Sequence, residues 1–303
     1  MPATNASVPA PGWTRPGAGW NQPENSDDSN PAQASDLHAL APATIQAPAS
    51  PWPRRSQGCQ ACRSPEAVFP FTMAFQPIVD VQESRLHAYE ALVRGLGGEG
   101  AGHVLAQVTA DNLYKFDQAC RVKAIEMAAR LGMDRRLNIN FLPNAVYEPR
   151  ACIRATLDAA TRTGFNPQLL TFEIVETEAI VETKHLLNII AEYRRQGFKI
   201  ALDDFATGYS GLARLAELKP DIVKLDRALV MDCDKDQTRL AIVASLIRLG
   251  SEIGVKVVVE GMERRSEVDA LRSVGARFMQ GFYFAKPEFQ GLCTEESIFS
   301  RKS

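Results

Sequence analysis

From Phe71 onward, short apolar runs alternate with longer segments in which apolar residues recur every three or four positions. The short runs predict strands, and the longer segments predict amphipathic helices. The eight predicted strands are Met73–Val81, Arg85–Arg94, Leu137–Phe141, Leu169–Val175, Lys199–Phe205, Ile222–Asp226, Lys256–Gly261 and Phe278–Phe284. The six predicted helices are Asp111–Leu131, Arg150–Thr163, Glu182–Gln196, Gly211–Leu218, Asp236–Ile253 and Arg264–Val274. This alternation indicates an α/β fold, and eight strands favour a (β/α)8 barrel.

The first two strands break the regular pattern, because only Gln82–Ser84 separate them. Two parallel strands need a crossover of about a dozen residues or more, so these two strands must run antiparallel. We therefore predict a modified (β/α)8 TIM-like barrel with one antiparallel strand over residues 70–290. A doubly wound open sheet is the alternative architecture.

The N-terminal segment, residues 1–58, has a different composition. It holds ten of the 18 prolines, with Ser, Asn, Ala and Gly between them, and no apolar period. Such a segment buries too little apolar surface to offset the entropy of ordering, so it predicts a disordered tail. The three tryptophans of this tail indicate either chance exposure or a motif for an unknown partner. Residues 59–69 form a predicted linker with Cys59 and Cys62, and residues 291–303 a predicted C-terminal tail.

Composition narrows the class of protein. The chain is 45% hydrophobic and 23% charged, with a formal net charge of −2, which argues against binding of duplex nucleic acid. Its six cysteines are scattered, which fits a reducing cytoplasm. The N-terminus has no secretory signal pattern, and no run of 18 apolar residues predicts a membrane span. We expect a cytoplasmic protein.

Polar residues recur at the carboxyl ends of the predicted strands, where barrel enzymes carry their catalytic groups. They are Glu90, Asn140, Glu173, Glu176, Asp203, Asp204, Lys224, Glu260 and Gln280. Ionised carboxylates are costly to bury unless they are paired or bound to metal. Five of these acids would converge on one barrel mouth and therefore predict divalent metal, although each acid alone is compatible with a salt bridge; they are Glu90, Glu173, Asp203, Asp204 and Glu260.

The type of ligand narrows the choice of metal. Carboxylate and amide oxygens favour the hard ions Mg²⁺ and Mn²⁺. The adjacent acids Asp203 and Asp204 suit a site for two ions, which stabilise in-line displacement at phosphorus. The acids thus predict a metal-dependent phosphoester hydrolase.

The motifs around these acids carry a family resemblance. YEALVRG contains Glu90, Ala91 and Leu92; FQPIVD precedes it, and NIN, FEIVE, DDFATGYSGL, KLD, VVVEGME and QGFYFAKP follow in order. Over residues 70–290 the sequence resembles the EAL family of cyclic-di-GMP phosphodiesterases. The resemblance implies a barrel with a reversed strand, and hydrolysis of this bacterial second messenger to linear pGpG with two Mg²⁺ or Mn²⁺ ions. It also implies a homodimer formed through the loop after Asp204 and the following helix.

The resemblance also implies roles for individual residues. Glu90, Asn140, Glu173 and Asp203 match ligands of one metal; Asp203 and Asp204 match ligands of the second, to which Glu260 contributes directly or through water. Lys224 matches the lysine that orients the nucleophilic water, Glu176 the glutamate that steadies the loop after Asp204, and Gln280 a residue that touches the water network or the substrate. The implied substrate contacts are Gln76, Leu92, Arg94, Asp226 and Pro287.

The chain departs from the family pattern in the loop after Asp204. Ala206 replaces a glycine and Gly211 a serine, and alanine has a narrower range of backbone conformations than glycine. This departure leaves open a non-hydrolysing receptor for cyclic di-GMP or a protein-interaction module. His87 lies three positions before Glu90, an odd separation that predicts opposite faces of the strand.

Overall fold

The computed structural model of the chain describes residues 69–146, 148–175, 183–205 and 211–300. The predicted tail, the linker cysteines Cys59 and Cys62, and the loop residues Glu176 and Ala206 lie outside these ranges.

Eight of the described strands form a closed barrel. They are β1 (Thr72–Asp80), β2 (Arg85–Arg94), β3 (Arg136–Asn140), β4 (Leu170–Val175), β5 (Lys199–Phe205), β6 (Ile222–Leu225), β7 (Lys256–Glu260) and β8 (Phe278–Gln280). Strands β2 to β8 lie side by side in chain order, and β1 closes the ring by pairing with both β2 and β8. The predicted barrel is confirmed, and the open sheet is excluded.

The reversed strand is β1. It runs antiparallel to β2 and to β8, whereas the other pairs between β2 and β8 are parallel. The Asp80 carboxylate, which is fully buried, accepts hydrogen bonds from the backbone N–H groups of Gln82 and Glu83 and so fixes the short turn to β2. The antiparallel start predicted from the three-residue connection is thus confirmed.

A β-bulge interrupts the pairing of β1 with β2. Ile78 pairs with Ala88 and Val79 with Leu86, so His87 has no partner across the ladder. The ring of His87 lies 4.3 Å from that of Phe278, which belongs to the apolar cluster inside the barrel. The simple alternation that predicted His87 on the opposite face from Glu90 is therefore wrong, because the extra residue re-aims the side chain.

Helices surround the barrel. They are α1 (Ala101–Leu105), α2 (Leu113–Arg130), α3 (Pro149–Cys152), α4 (Arg154–Thr163), α5 (Thr183–Arg195), α6 (Gly211–Leu218), α7 (Arg227–Val230), α8 (Gln237–Ile253), α9 (Arg265–Ser273) and α10 (Glu295–Phe299). Their apolar sides pack on the outward side chains of the strands. Phe172 of β4, for example, packs against Tyr193 of α5 and Phe198, with ring centroids 4.9 and 5.2 Å apart.

The chain after residue 287 also packs on the barrel. A short strand, β9 (Glu288–Phe289), pairs with β1, and Ile298 of α10 is fully buried. The Tyr89 hydroxyl donates a hydrogen bond to the carbonyl of Cys293, which ties this segment to β2. Among the described residues, no helix combines the length and apolarity needed to cross a membrane.

Candidate active site

The carboxyl ends of the strands bring the predicted polar residues together. Alternation along each strand directs every second side chain into the barrel. Glu90 of β2, Glu173 of β4 and Asp203 of β5 are all buried, and one carboxylate oxygen from each lies within 4.8 Å of the others. Three strands thus direct carboxylates to one point. We call these three residues, together with Asp204 and Glu260, the acidic mouth.

Lys224 of β6 lies at the centre of the acidic mouth and is 1% exposed. Its Nζ atom is 3.2 Å from Oε2 of Glu90 and 3.1 Å from Oε2 of Glu173. The same nitrogen is 3.1 Å from Oδ1 of Asp203 and 2.9 Å from Oε1 of Glu260. Four carboxylates therefore share one ammonium group, which neutralises only part of their charge.

Amide side chains hold two of these carboxylates in place. Asn140 donates to Oε1 of Glu90 at 3.1 Å, and Gln280 donates to Oε2 of Glu90 at 2.7 Å. Asn138 donates to Oε1 of Glu173 at 2.8 Å. Asn138 was not among the predicted site residues, although its position two residues before Asn140 places it on the same face of β3.

The adjacent acids of β5 lie at an irregularity of the sheet. The pairing with β6 shifts between Leu202 and Phe205, and Asp204 has a left-handed backbone with φ of 53°. Non-glycine residues adopt this conformation rarely and at a cost, and such positions cluster at functional sites. The backbone N–H of Asp204 donates to Oδ1 of Asp203 at 3.0 Å. Strict alternation would direct two neighbouring side chains to opposite faces of the sheet. The irregularity at Asp203 and Asp204 removes this constraint.

The acids of the mouth differ from one another in the pKa values of their carboxyl groups. Burial raises the pKa of Glu173 well above its usual range, and the negative charges of Glu90 and Asp203 add to this effect. Burial also raises the pKa of Glu260 to about 8, against the opposing attraction of Lys224. For Glu90, burial is outweighed by Lys224 and by the Gln280 hydrogen bond, so its pKa falls.

Burial and the charges of the mouth also shift the pKa values of Asp204 and Lys224. Burial raises the pKa of Asp204 to about 6, with contributions from the charges of Asp203 and Asp226. Burial alone would lower the pKa of Lys224, but the four surrounding carboxylates raise it well above its ordinary value. Lys224 is therefore a protonated counter-ion, and the mouth retains an excess of negative charge.

A cleft of about 190 Å³ opens beside the acidic mouth. Glu90, Glu260, Gln280 and Gln76 line its inner part, and Arg227, Glu263 and Phe282 line its outer part. Gln76 of β1 accepts a hydrogen bond from Gln280 and donates one to the carbonyl of Ala285. The structure thus brings Gln76 and Gln280 to one wall of this cleft. Sequence reasoning missed Arg227 and Glu263, which form a 2.9 Å ion pair, because neither stands in a strand.

The other predicted substrate contacts are less tightly grouped. Leu92 and Arg94 are half-buried at the carboxyl end of β2, where Arg94 interacts electrostatically with Glu90. Asp226 follows β6 directly, and its Oδ1 accepts a hydrogen bond from the backbone N–H of Ala228. Pro287 is half-buried just before β9. Glu176 lies outside the described residues.

Comparison with known proteins agrees with this arrangement. The sequence model of the EAL domain matches residues 69–287. The chain belongs to the EAL family. A standalone EAL protein from Vibrio cholerae O395, solved with cyclic di-GMP bound, is 45% identical with a TM-score of 0.73, over 76% of this chain and 97% of that one. BlrP1 of Klebsiella pneumoniae, solved with manganese and cyclic di-GMP, is 34% identical with a TM-score of 0.71, over 76% of this chain and 59% of that one.

The EAL family includes proteins of more than one named function. A probable cyclic di-GMP phosphodiesterase of Escherichia coli, PdeG, is 30% identical over 70% of this chain and 44% of its own length. BluF, a light- and temperature-regulated antirepressor of E. coli, is 27% identical over 72% of this chain and 55% of its own length. The chain thus spans less than two thirds of the length of these curated relatives. At the level of the family, the comparisons support phosphodiesterase activity.

Proposed function

We propose that the chain hydrolyses cyclic di-GMP to linear pGpG in a metal-dependent, in-line reaction. The observation that carries this proposal is the acidic mouth, in which four carboxylates converge on the buried ammonium of Lys224 within an EAL-family barrel. Structures of the similar BlrP1 contain cyclic di-GMP together with manganese or calcium. Those complexes support a divalent-metal site and this substrate.

The charge and chemistry of the acidic mouth fit two divalent cations. When all five carboxylates are ionised, as metal ligands must be, they outnumber the single ammonium of Lys224 by four negative charges, which two divalent ions would neutralise. Every donor is an oxygen, as hard ions such as Mg²⁺ or Mn²⁺ prefer. We assign Glu90, Asn140, Glu173 and Asp203 to one ion. Asp203 and Asp204 hold the second, with Glu260 as a direct or water-mediated ligand.

Bound metal ions would supply an activated water and would stabilise negative charge on the phosphoryl oxygens. The side chains of the chain position the reactants. Lys224 orients the attacking water and favours its deprotonated form, because a positive charge stabilises hydroxide relative to water. The surrounding carboxylates raise the pKa of Lys224 and so keep it protonated. Gln280 contacts the water network or the substrate from β8, and Glu176 steadies the loop after Asp204.

Hydrolysis to pGpG specifies which bond breaks. Water oxygen bonds to one phosphorus, and the bond from that phosphorus to the ribose 3′ oxygen breaks. The 3′ oxygen leaves as a hydroxyl, and the new 5′-terminal phosphate keeps the oxygen from water. Of the two protons of the water, one ends on the 3′ oxygen and the other is released to solvent as the new phosphate ionises.

The cleft beside the mouth and the end of β2 provide the substrate contacts in this proposal. Arg94, at the end of β2, suits a bidentate contact with a phosphate. Gln76 and Leu92 line the dinucleotide. Asp226 accepts hydrogen bonds from the amino edge of a guanine, which packs near Pro287.

Assembly and location are part of the proposal. We infer a homodimer through the loop after Asp204 and α6, where Leu212 is 61% exposed. A monomeric mass at high concentration would contradict this assembly. A cytoplasmic location and an unknown partner for residues 1–58 stay predictions from the sequence.

A second candidate function is a receptor that binds cyclic di-GMP without hydrolysing it. The relative BluF is named an antirepressor, which favours this possibility, as do Ala206 and Gly211 in the altered loop. Hydrolysis in ¹⁸O-labelled water separates the two functions. The proposed enzyme yields pGpG with one ¹⁸O in its terminal phosphate, and the matched Glu90→Ala variant yields none. Bound but intact cyclic di-GMP would identify a receptor.

A further inference from the structure

The end of the barrel opposite the acidic mouth carries cations. Arg136, Lys199 and Lys256 are the first residues of β3, β5 and β7, and Arg277 directly precedes β8. Because these parallel strands all begin at the same end of the barrel, the four side chains belong to one surface. We call this surface, together with His87, the barrel floor.

Two of these cations are paired. Lys199 Nζ lies 2.7 Å from Oδ1 of Asp221, and Arg277 Nη2 lies 2.7 Å from Oδ2 of Asp80. Neither Arg136 nor Lys256 forms a salt bridge with a carboxylate in the described part of the chain. The Nη1 atom of Arg136 is buried without a hydrogen-bond partner. Buried polar groups are normally satisfied, so an unpaired buried guanidinium nitrogen points to a missing anionic or water partner.

The cations of the barrel floor converge on one aromatic ring. Lys256 Nζ and Arg277 Cζ each lie 5.2 Å from the centroid of Phe278, against which the bulged His87 also packs. Burial lowers the pKa of Lys256, and the neighbouring charges of Arg136, Arg277 and Lys199 lower it further. The cations therefore repel one another, and an anion between them would relieve this repulsion.

Unpartnered polar atoms continue inward from the barrel floor. Thr171 and Asn138 precede Glu173 and Asn140 by two residues, so they point into the barrel. They pair in register on neighbouring strands and are 0% and 1% exposed. Thr171 Oγ1 and Asn138 Oδ1 have no hydrogen-bond partner. These two atoms indicate that polar ligand atoms or water occupy the lower interior.

We propose that the barrel floor binds a small oxyanion of the phosphate type. Arg136 and Lys256 supply the positive charge, since neither is paired with a carboxylate in the described part of the chain. Phe278, which is 9% exposed and belongs to the apolar cluster inside the barrel, lies against Lys256 and Arg277, so the ion contacts the outer side of the floor. This site is distinct from the acidic mouth and does not depend on the proposed hydrolysis.

The test titrates inorganic phosphate into the full chain at constant ionic strength, with EDTA present, and follows the melting temperature. A ligand that binds only the folded state raises the melting temperature in a saturable way. We expect such a rise in the wild type. In Lys256→Gln, the half-saturating phosphate concentration should be about tenfold higher, because one charged hydrogen bond is lost. Lys235→Gln is the matched control and should behave as the wild type, since this exposed lysine lies outside the barrel floor and Asp232 already neutralises its ammonium.

Three outcomes would overturn the proposal. The first is a phosphate effect no larger than that of chloride at the same ionic strength. The second is an unchanged half-saturation in Lys256→Gln, which replaces an exposed side chain and so preserves the fold. The third is a phosphate effect that disappears in Arg94→Gln but persists in Lys256→Gln. That result would place the anion at the opposite end of the barrel.

Discussion

The ammonium nitrogen of Lys224 lies 3.1 Å from Oε2 of Glu173, and both side chains are almost completely buried. Three further carboxylates surround the same nitrogen, so Lys224 lies where the negative charge of the acidic mouth is densest. Lys224 is thus the main counter-ion of the metal-free barrel and the group that we propose to orient water in the reaction.

Replacement of Lys224 by methionine should destabilise the metal-free protein. It leaves four carboxylates, three of them buried, without their ammonium partner, and breaking a buried ion pair in this way costs about 3–5 kcal/mol. Urea unfolding in EDTA measures the loss. Added Mn²⁺ should restore part of the stability, because the ions replace the missing positive charge. The exposed Lys235→Met variant is the control, and equal unfolding midpoints for both variants would contradict the account.

Asn138 should act as a positioning residue for Glu173, to which it donates a 2.8 Å hydrogen bond. Loss of such an outer partner typically weakens metal binding about 10–100-fold. In Asn138→Ala, the Mn²⁺ concentration for half-maximal activity should rise by that factor, and the rate at saturating Mn²⁺ should stay closer to the wild type. A lower rate at every Mn²⁺ concentration with unchanged metal affinity would argue against this role.

Asp204 should belong to only one of the two proposed metal sites. Calorimetric titration with Mn²⁺ should give two ions for each wild-type chain and one for Asp204→Asn, since an amide binds a hard cation more weakly than a carboxylate. Asp269→Asn provides the matched control, because Arg265 already neutralises that exposed carboxylate at 3.1 Å. One ion in the wild type would contradict the two-metal site.

A buried ion pair supports the strand end that carries Asn140. Arg121, which is fully buried, contacts Oδ2 of Asp117 at 2.6 Å, and Oδ1 of Asp117 accepts a hydrogen bond from the backbone N–H of Leu142. Arg121→Met leaves the Asp117 charge buried, so urea unfolding should show a loss of about 3–5 kcal/mol. The double variant Arg121→Met with Asp117→Leu should lose less. Equal losses of unfolding free energy in the single and the double variant would mean that packing, and not the buried charge, determines the effect.

Much of the barrel could be predicted from the sequence, because the strands are short apolar runs with clear helical segments between them. The reversal of β1 followed from one number, the length of the Gln82–Ser84 connection. The bulge at His87 could not be predicted in the same way. Nothing in the apolar alternation of β2 distinguishes an extra residue from a regular one, so the inward position of His87 required the three-dimensional register.

The convergence of the acids was also predictable, since each stands at the end of a strand. Their partners were harder to predict. Asn138 and Arg227 act through contacts between elements that lie far apart in sequence, and the left-handed backbone of Asp204 depends on how β5 meets β6. Single positions in a sequence contain no direct record of such contacts.

The central claim is that the acidic mouth hydrolyses cyclic di-GMP with bound metal. The most direct measurement is a time course of cyclic di-GMP conversion by the purified full chain in Mn²⁺, with EDTA added part-way. The account predicts that linear pGpG accumulates and that its formation stops when EDTA is added. Unchanged cyclic di-GMP in the presence of Mn²⁺, or product formation that continues in EDTA, would contradict it.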